Sequence, residues 1–331
     1  MHHGAFAEHT ELSASITPLD PAEPIDGERM ASVVSVGHDV VATLDFSVIT
    51  TAQFLAHPIV ASNFGISAKA APFRDPRTPL TILGSMSSDI GGVRHGSHYS
   101  ADMTERASAQ AVRLALSHSA SRTRHAVAVN VPSEQVELFA RSSEHDVHEL
   151  YQHSRYVLDL PRGETEEGFL SALSSKTRRT WLMDVRADLA LSCPGVTEPP
   201  ATLIADAALL IAEVRQRNGV RTHPVLVEYE LDRWAREVGP TALAFTRRDT
   251  RGDLIAVCFA HVADEQLHLY DVGLTSDESH RGVLYRMAVF LQPLRFALSR
   301  GLHRIHLGYG HDLPKVSRGA RGTSMHSFLL R

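Results

Sequence analysis

Lysine is nearly missing from this 331-residue chain: Lys69, Lys176 and Lys315 are the three lysines among 33 basic residues, and the rest are arginines. A composition so biased towards arginine that still keeps an ammonium marks a position where a compact point charge is wanted. Cysteine is equally scarce. The two that occur, Cys193 and Cys258, lie far apart, which excludes a disulfide frame and fits a reduced, cytoplasmic protein. No apolar run is long enough to span a bilayer, and no basic stretch followed by an apolar segment opens the chain, so neither a membrane span nor a secretory signal is expected. The net charge of -5 excludes bulk nucleic-acid binding driven by charge alone.

What is present describes a globular protein: 43% hydrophobic and 21% charged residues, with a length that favours two domains. The charge is unevenly divided. From residue 160 onward 22 Lys/Arg face 20 Asp/Glu, whereas the first 159 residues hold 11 against 18. A mildly basic second half permits a local anion site there.

Residues 1–30 are polar, proline-bearing and without periodicity, and read as a flexible N-terminal arm. Domains are expected over 31–155 and 156–331. In the first, short strands are expected at Val33–Val36, Val40–Leu44 and Thr81–Leu83. A Gly/Ser/His loop follows, whose Ser85–Ser88 and Gly91-Gly92 segment has the composition of a binding lid. A helix from Thr104 to Ser119 and a strand from His125 to Val131 complete the pattern. In the second, the reading is a strand at 156–160, one helix from Thr165 to about Ala190, a loop at Pro194–Pro200 and helices at 201–218 and 226–238. Strands are then expected at Thr241–Arg247, Leu254–Val262 and Gln266–Leu274, a helix over Gly282–Ser299, and a last clear strand at His303–Leu307.

The chemistry-bearing residues concentrate in this second half. Asp271-Val272-Gly273-Leu274 ends a strand, and Arg281-Gly282 is expected to open the next helix, forming a corner that accepts an anion or a developing oxyanion. Lys176, Arg178 and Arg179 form a basic cluster near the middle of the expected helix, fitted to grip phosphates. Near the C-terminus, Leu307-Gly308-Tyr309-Gly310-His311 leads to Lys315, whose ammonium on a glycine-rich loop is suited to stabilising negative charge on an acyl oxygen or a leaving group. Asp271 is the candidate for steering or deprotonating an amine, and Tyr309 for protonating a leaving group. Twenty histidines invite a metal reading, but His303 and His306 are three apart on a strand and face opposite sides, and no HExxH or Cys/His frame occurs. No metal site is expected. Cys258 sits in an apolar run and reads as buried and inert.

Phe169–Arg179, Asp271-Val272-Gly273, Arg281-Gly282-Val283-Leu284, Ala297–Leu302 and Leu307–Gly310 with Lys315, in that order, resemble the GNAT acyltransferase superfamily. Within it they are most similar to the FemABX-like and BioF-like acetyltransferase branch. The resemblance covers about residues 156–325 and implies an α/β fold of two tandem GNAT-like domains, each a mixed, strongly twisted sheet flanked by helices. It further implies N-acyl transfer, with Gly273, Leu274, Arg281 and Gly282 at the donor and Lys176, Arg178, Arg179 and His311 at substrate or phosphate. An ordinary CoA-binding GNAT carries Arg/Gln-x-x-Gly-x-Gly/Ala at the helix start. Arg281-Gly282-Val283-Leu284-Tyr285-Arg286 lacks the later small residues, so the CoA cradle is compromised. The FemABX-like branch takes its acyl group from aminoacyl-tRNA, which makes tRNA the expected donor carrier and the amine of a small metabolite or peptidoglycan precursor the expected acceptor. Under this reading there is no bound cofactor and no membrane partner, and the acyl donor is a co-substrate. Two other readings stay open: an acyl-CoA- or acyl-carrier-protein-dependent N-acyltransferase, and a non-catalytic GNAT-like binding module.

Overall fold

The computed structural model describes residues 12–18, 27–36, 38–49, 79–84, 92–95, 99–123, 125–143, 147–191, 193–220 and 222–330. The chain divides into two compact units, one of Met1–His153 with Ser324–Arg331 and one of Ser154–Thr323.

The first unit holds strands β1 (Ser13–Pro18), β2 (Gly27–Val36), β3 (Asp39–Ile49), β4 (Leu80–Leu83), β5 (Arg94–His95) and β6 (Ala126–Pro132), with helices α1 (Ala101–Ser119) and α2 (Ser133–Ser143). The chain leaves it along β7 (Val147–Asp159) and re-enters it along the C-terminal strand Arg321–Leu330. The sheet runs β1-β2-β3-β4-β6 and then the C-terminal strand, with β5 on β3. Among the described residues of this unit only β4 and β6 run parallel, Thr81 opposite Ala126 and Leu83 opposite Ala128. A parallel pair needs a crossover, and α1 supplies it. Ser100 caps α1 by accepting from the Met103 amide, and Ala107, Ala111, Val112 and Ala115 recur at helical spacing on its buried face. They pack with Val34, Leu44, Phe46, Phe139 and Phe328.

Two expectations are corrected here. The stretch 1–30 is not all loose arm, because β1 pairs with β2 from Ser13↔Ser35 to Pro18↔Met30. Its small polar residues carry no strand signal of their own, and the pairing with β2 orders them. The last residues belong to this unit rather than the second, since Met325–Leu330 pair with β6. The lid reading of Ser85–Ser88 and Gly91 lies outside the described residues.

The second unit contains the rest of β7, then α3 (Glu166–Ala172), α4 (Ser175–Ala190), β8 (Gly195–Glu198), α5 (Ile204–Arg217), α6 (Pro224–Val238), β9 (Ala242–Arg248), β10 (Leu254–Ala263) and β11 (Gln266–Leu274). There follow α7 (Glu278–Arg286), a π-helical turn (Met287–Leu291), α8 (Gln292–Ser299), β12 (Arg304–Tyr309) and α9 (Asp312–Val316); the C-terminal strand is β13. The sheet order is β7-β12-β11-β10-β9-β8. Here too a single pair is parallel, β11 with β12, and α7 to α8 make the crossover. Asp264 and Glu265 both adopt positive φ, at 50° and 57°, so the β10–β11 hairpin closes in two residues with the twist the strands require. Alternation along β10 divides the core. Ala256, Cys258 and Ala260 face Trp181, Met287, Phe290 and Leu294, whereas Val257 and Phe259 face Ile211 and Trp234.

The helix expected over 165–190 is two helices. Thr165 caps the first by accepting from the Gly168 amide at 3.1 Å, and Ser174 caps the second by accepting from Thr177 at 3.3 Å. Lys176 therefore lies in the first turn of α4 and Arg179 at the start of the second, not at mid-helix. Gly195–Glu198, expected as loop, is an edge strand on β9. Pro293 has no N–H to give residue 289 and its ring crowds that carbonyl, and the helix opens into the π turn just before it. Among the described residues no helix is long and apolar enough to cross a membrane.

Gly273 and Gly282 make opposite demands. A Cβ on Gly273 would stand 2.8 Å from Leu210 Cβ and 2.9 Å from Val257 Cγ1, whereas on Gly282 its nearest neighbour is Arg286 Nη1 at 3.8 Å. Gly273→Ala is expected to destabilise by about 1–3 kcal/mol through overpacking. Gly282→Ala, inside a helix, is expected to stabilise by about 1 kcal/mol. Denaturant unfolding of the two variants measures both.

Candidate functional site

The parallel pairing of β11 with β12 covers only Gln266↔Arg304, Leu267↔Ile305 and His268↔His306. Past this point β11 continues to Leu274 beside β10, and β12 to Tyr309 beside β7. Each strand carries an irregularity here: β11 against Cys258–Ala260 of β10, and β12 between His306 and Gly308. Bulges bend strands and sharpen twist, so the two part. Beyond His268 the β11 backbone groups turned towards β12 have no ladder partner, which is an extended edge ready to pair with a ligand.

The C-terminal end of β12 forms one rim. Gly308 and Gly310 turn at φ 66° and 69°, and His311 follows at φ 50° as the residue before α9. Lys315 is buried, and its Nζ donates to the carbonyls of Gly308 at 3.1 Å and Tyr309 at 2.8 Å. It also lies 5.4 Å from the Tyr156 ring centroid. Burial pushes the Tyr156 hydroxyl above its usual range, and the Asp312 carboxylate adds to this. Lysine, Tyr309 and His311 are thus brought together, with the phenol ring of Tyr309 half in solvent. From the opposite side Tyr285 of α7 reaches the His311 ring at 5.5 Å and the Phe290 ring at 5.7 Å. Burial pushes the Tyr285 hydroxyl up to about 12, so it stays protonated.

Other expected site residues are placed differently. Asp271 accepts from Arg215 Nη2 at 2.8 Å and from its neighbour's amide at 2.8 Å, while Arg215 Nη1 donates to Glu230 at 2.7 Å. Burial works against the guanidinium, but the two carboxylates more than offset it and hold Arg215 above its ordinary range. A carboxylate so engaged is a structural ion pair and not a free base, which corrects the role expected for Asp271. Gly273 is close-packed against α5 as described, and Leu274 is buried with its carbonyl accepting from Arg217 at 3.0 Å. At both positions the side-chain space is taken up by packing, so any donor contact would be made by the backbone of β11. Arg281-Gly282 does not open the helix, because α7 begins at Glu278. The amides from Gly282 onward are bonded within the helix, and those of 278–281 form its N-terminal turn. Arg178 folds back and donates through Nη2 to the carbonyls of Ser171 and Leu173, both at 2.9 Å, closing the end of α3. Lys176 and Arg179 stay exposed. Burial raises the Cys258 thiol, which removes it as a nucleophile. Among the described residues no group of three or more His, Cys, Asp or Glu side chains is arranged to hold a metal ion.

Two clusters lie outside the expected site. Asp184, 1% exposed, takes Arg318 through Nε and Nη2 at 2.7 Å each and Arg286 through Nε at 3.0 Å. Burial raises the Asp184 carboxyl against the pull of both arginines, and lowers the Arg318 guanidinium against Asp184, with Arg286 adding to the lowering. A legible signal existed: Asp184 stands three residues after Trp181 on the apolar face of a helix, where a carboxylate demands a cation. The second cluster is a row of stacked imidazoles, His261 on His268 at 4.9 Å and His268 on His306 at 4.2 Å, ending on the last β11–β12 pair. His306 Nε2 bonds Gln266 Oε1 at 2.6 Å. No periodicity in the sequence aligns three strands, so this row was not legible.

Burial, then the neighbouring His261 and Arg155, lower His268 to about 4. Burial, then His268 and Arg155, lower His306 to about 2. Unfolded imidazoles take up protons near pH 6.5, so between that pH and about 4 the unfolded chain binds more protons and stability falls as pH falls. Each of the two is expected to contribute about 1.4 kcal/mol of loss per pH unit in that window. Denaturant unfolding at pH 7 and pH 5.5 measures the slope, and His268→Gln is expected to remove about half of it.

No family model matches the chain, and no curated protein matches it. Solved structures do. FemX superposes with a TM-score of 0.54 at 9% identity, over 92% of this chain and 87% of FemX. The C-terminal domain (DUF2156) of a putative lysylphosphatidylglycerol synthetase from Agrobacterium fabrum gives 0.52 at 8% identity, over 87% and 80%. L-PGS from Bacillus licheniformis gives 0.50 at 9% identity, over 88% and 81%. At such identities the likeness is one of fold, and the fold is FemABX-like.

Proposed function

We propose that this chain, with its FemABX-like fold, is an N-acyltransferase that forms an amide by moving an acyl or aminoacyl group from a tRNA ester to the amine of a small metabolite or peptidoglycan precursor. The observation that carries the reading is the early parting of β11 and β12 beside a helix that offers no glycine-rich cradle. An extended acyl segment laid along β11 would pair with the backbone groups left without a ladder partner. A CoA pyrophosphate needs open amides with small residues around them. Here Leu284, Tyr285 and Arg286 put their amides inside α7 and their side chains at its surfaces, Leu284 buried and Tyr285 against His311. That arrangement favours a donor without a pyrophosphate.

In this reading the acceptor nitrogen attacks the ester carbonyl carbon, a C–N bond forms, and the π pair moves to oxygen. Lys315, fixed by the Gly308 and Tyr309 carbonyls, supplies the positive field for that oxyanion. Collapse breaks the bond to the ribose oxygen, which leaves with the proton lost by the nitrogen, passed through the Tyr309 hydroxyl. Lys176 and Arg179 lie on α4, whose Thr177 and Trp181 pack against the segment that follows α9: Gly319 lies against Thr177 and Trp181 donates to the Arg318 carbonyl at 3.1 Å. They are suited to phosphates of the donor. The donor is a co-substrate, and no bound cofactor enters.

The test is transfer of radiolabelled amino acid from bulk aminoacyl-tRNA into an RNase-resistant product in the presence of a small-molecule cell extract. Label in such a product, abolished by prior RNase treatment, is expected. Full-rate product from acetyl-CoA without tRNA would overturn the reading. Lys315→Met is expected to lower the transfer rate by about 10²-fold or more, with a thermal melt confirming that the variant remains folded.

A further inference from the structure

Two guanidinium groups share a single buried carboxylate in the second unit, and only one of them is fully engaged. Arg318 uses Nε and Nη2 on Asp184 Oδ2, donates from Nη1 to the Pro314 carbonyl at 2.8 Å, and lies flat on Phe290 at 4.4 Å. Arg286 reaches the other oxygen of Asp184 through Nε at 3.0 Å. Its terminal nitrogens have no hydrogen-bond partner among the described residues, and its side chain is 35% exposed. The cluster therefore carries one positive charge in excess, in a corner where Asp184 and Arg318 are almost wholly removed from water. The excess charge sits on Arg286, the one member of the three that solvent reaches, so an anion can meet it there.

The geometry favours such an anion. The ion pair through Nε tethers the Arg286 guanidinium to Asp184, and its Nη1/Nη2 pair can bind two oxygens of one oxyacid side by side. The approach is open. Arg286 Nη1 lies 3.8 Å from the Cβ position of Gly282, which is exposed and has no other atom within 4 Å. A lysine would hold the charge without the fork, and this chain places arginine here.

We propose that Arg286, held by Asp184, is an oxyanion-binding residue for a phosphate or carboxylate group of a substrate. The anion site stands on its own geometry; its assignment to the donor's phosphodiester or the acceptor's carboxylate rests on the acyl-transfer reading.

The experiment uses the intact chain and no turnover. Inorganic phosphate is titrated into wild type, Arg286→Gln and Arg286→Lys, followed by melting temperature and by arginine-selective nitrogen NMR. Wild type is expected to saturate with a shift of the Arg286 terminal nitrogens. Arg286→Gln is expected to bind at least about tenfold more weakly, and Arg286→Lys to fall between. Equal responses of wild type and Arg286→Gln, or no shift at the Arg286 nitrogens of wild type, would overturn the site; the wild-type spectrum decides even if a variant does not fold. Competition by the trinucleotide CCA assigns the anion to the donor, and competition by glutarate to the acceptor. If neither competes, the substrate assignment falls while phosphate binding stands, and the RNase-sensitive transfer assay reports separately on the acyl-transfer reading.

Discussion

The constraint on which the second unit depends is that β11 and β12 pair for three residues and then separate. A parallel ladder that ran its full length would bury every backbone group in hydrogen bonds and leave nothing for a ligand. The bulges against Cys258–Ala260 and between His306 and Gly308 stop it early. What lies past the fork follows from that. Tyr285 comes across from α7, the glycine turns at 308 and 310 bring the rim round, and α9 delivers Lys315 beneath it. The stacked His268 and His306 occupy the last paired position, so the histidine row sits where the strands part.

Charge inside this unit is handled by pairing of two kinds. Several arginines take carboxylates: Arg318 and Arg286 on Asp184, Arg215 between Asp271 and Glu230, and Arg247 and Arg295 on Asp188. Lys315 instead takes the backbone carbonyls of Gly308 and Tyr309, beside an aromatic ring. A planar guanidinium presents its donors in a fixed fork and fits a carboxylate. A compact ammonium fits between two carbonyls of a tight turn. This is a physical reason for a lysine at 315 in a chain that otherwise uses arginine.

Much of the order of elements was legible. Apolar runs and turn residues located β9, β10, β11 and β12, and helical spacing located α1, α5, α6 and α8. The errors over strands share one cause, which is pairing over a distance. The Ser/Thr-rich β1 and the four-residue β8 are strands because β2 and β9 pair with them. The C-terminal residues join the first unit because β6 pairs with them. Within the site, Lys315, Tyr309 and His311 were legible as neighbours in sequence on a glycine-rich loop. Asp271 was misjudged as a base because Arg215 lies 56 residues away and only folding brings it to the carboxylate.

By itself the sequence determined the α/β class, the strand–helix–strand order of each half, the loop that carries the lysine and the loss of a glycine-rich cradle at 284–286. These are local properties, set by periodicity, turn residues and side-chain size. The tertiary structure alone decided which charges are neutralised and which are available. It committed Asp271 to Arg215, Arg178 to the end of α3 and Lys315 to two carbonyls, and left the Arg286 side chain partly open to solvent. Partners for a charge are chosen by distances of a few ångströms between remote segments, and those distances exist only once the sheet has formed.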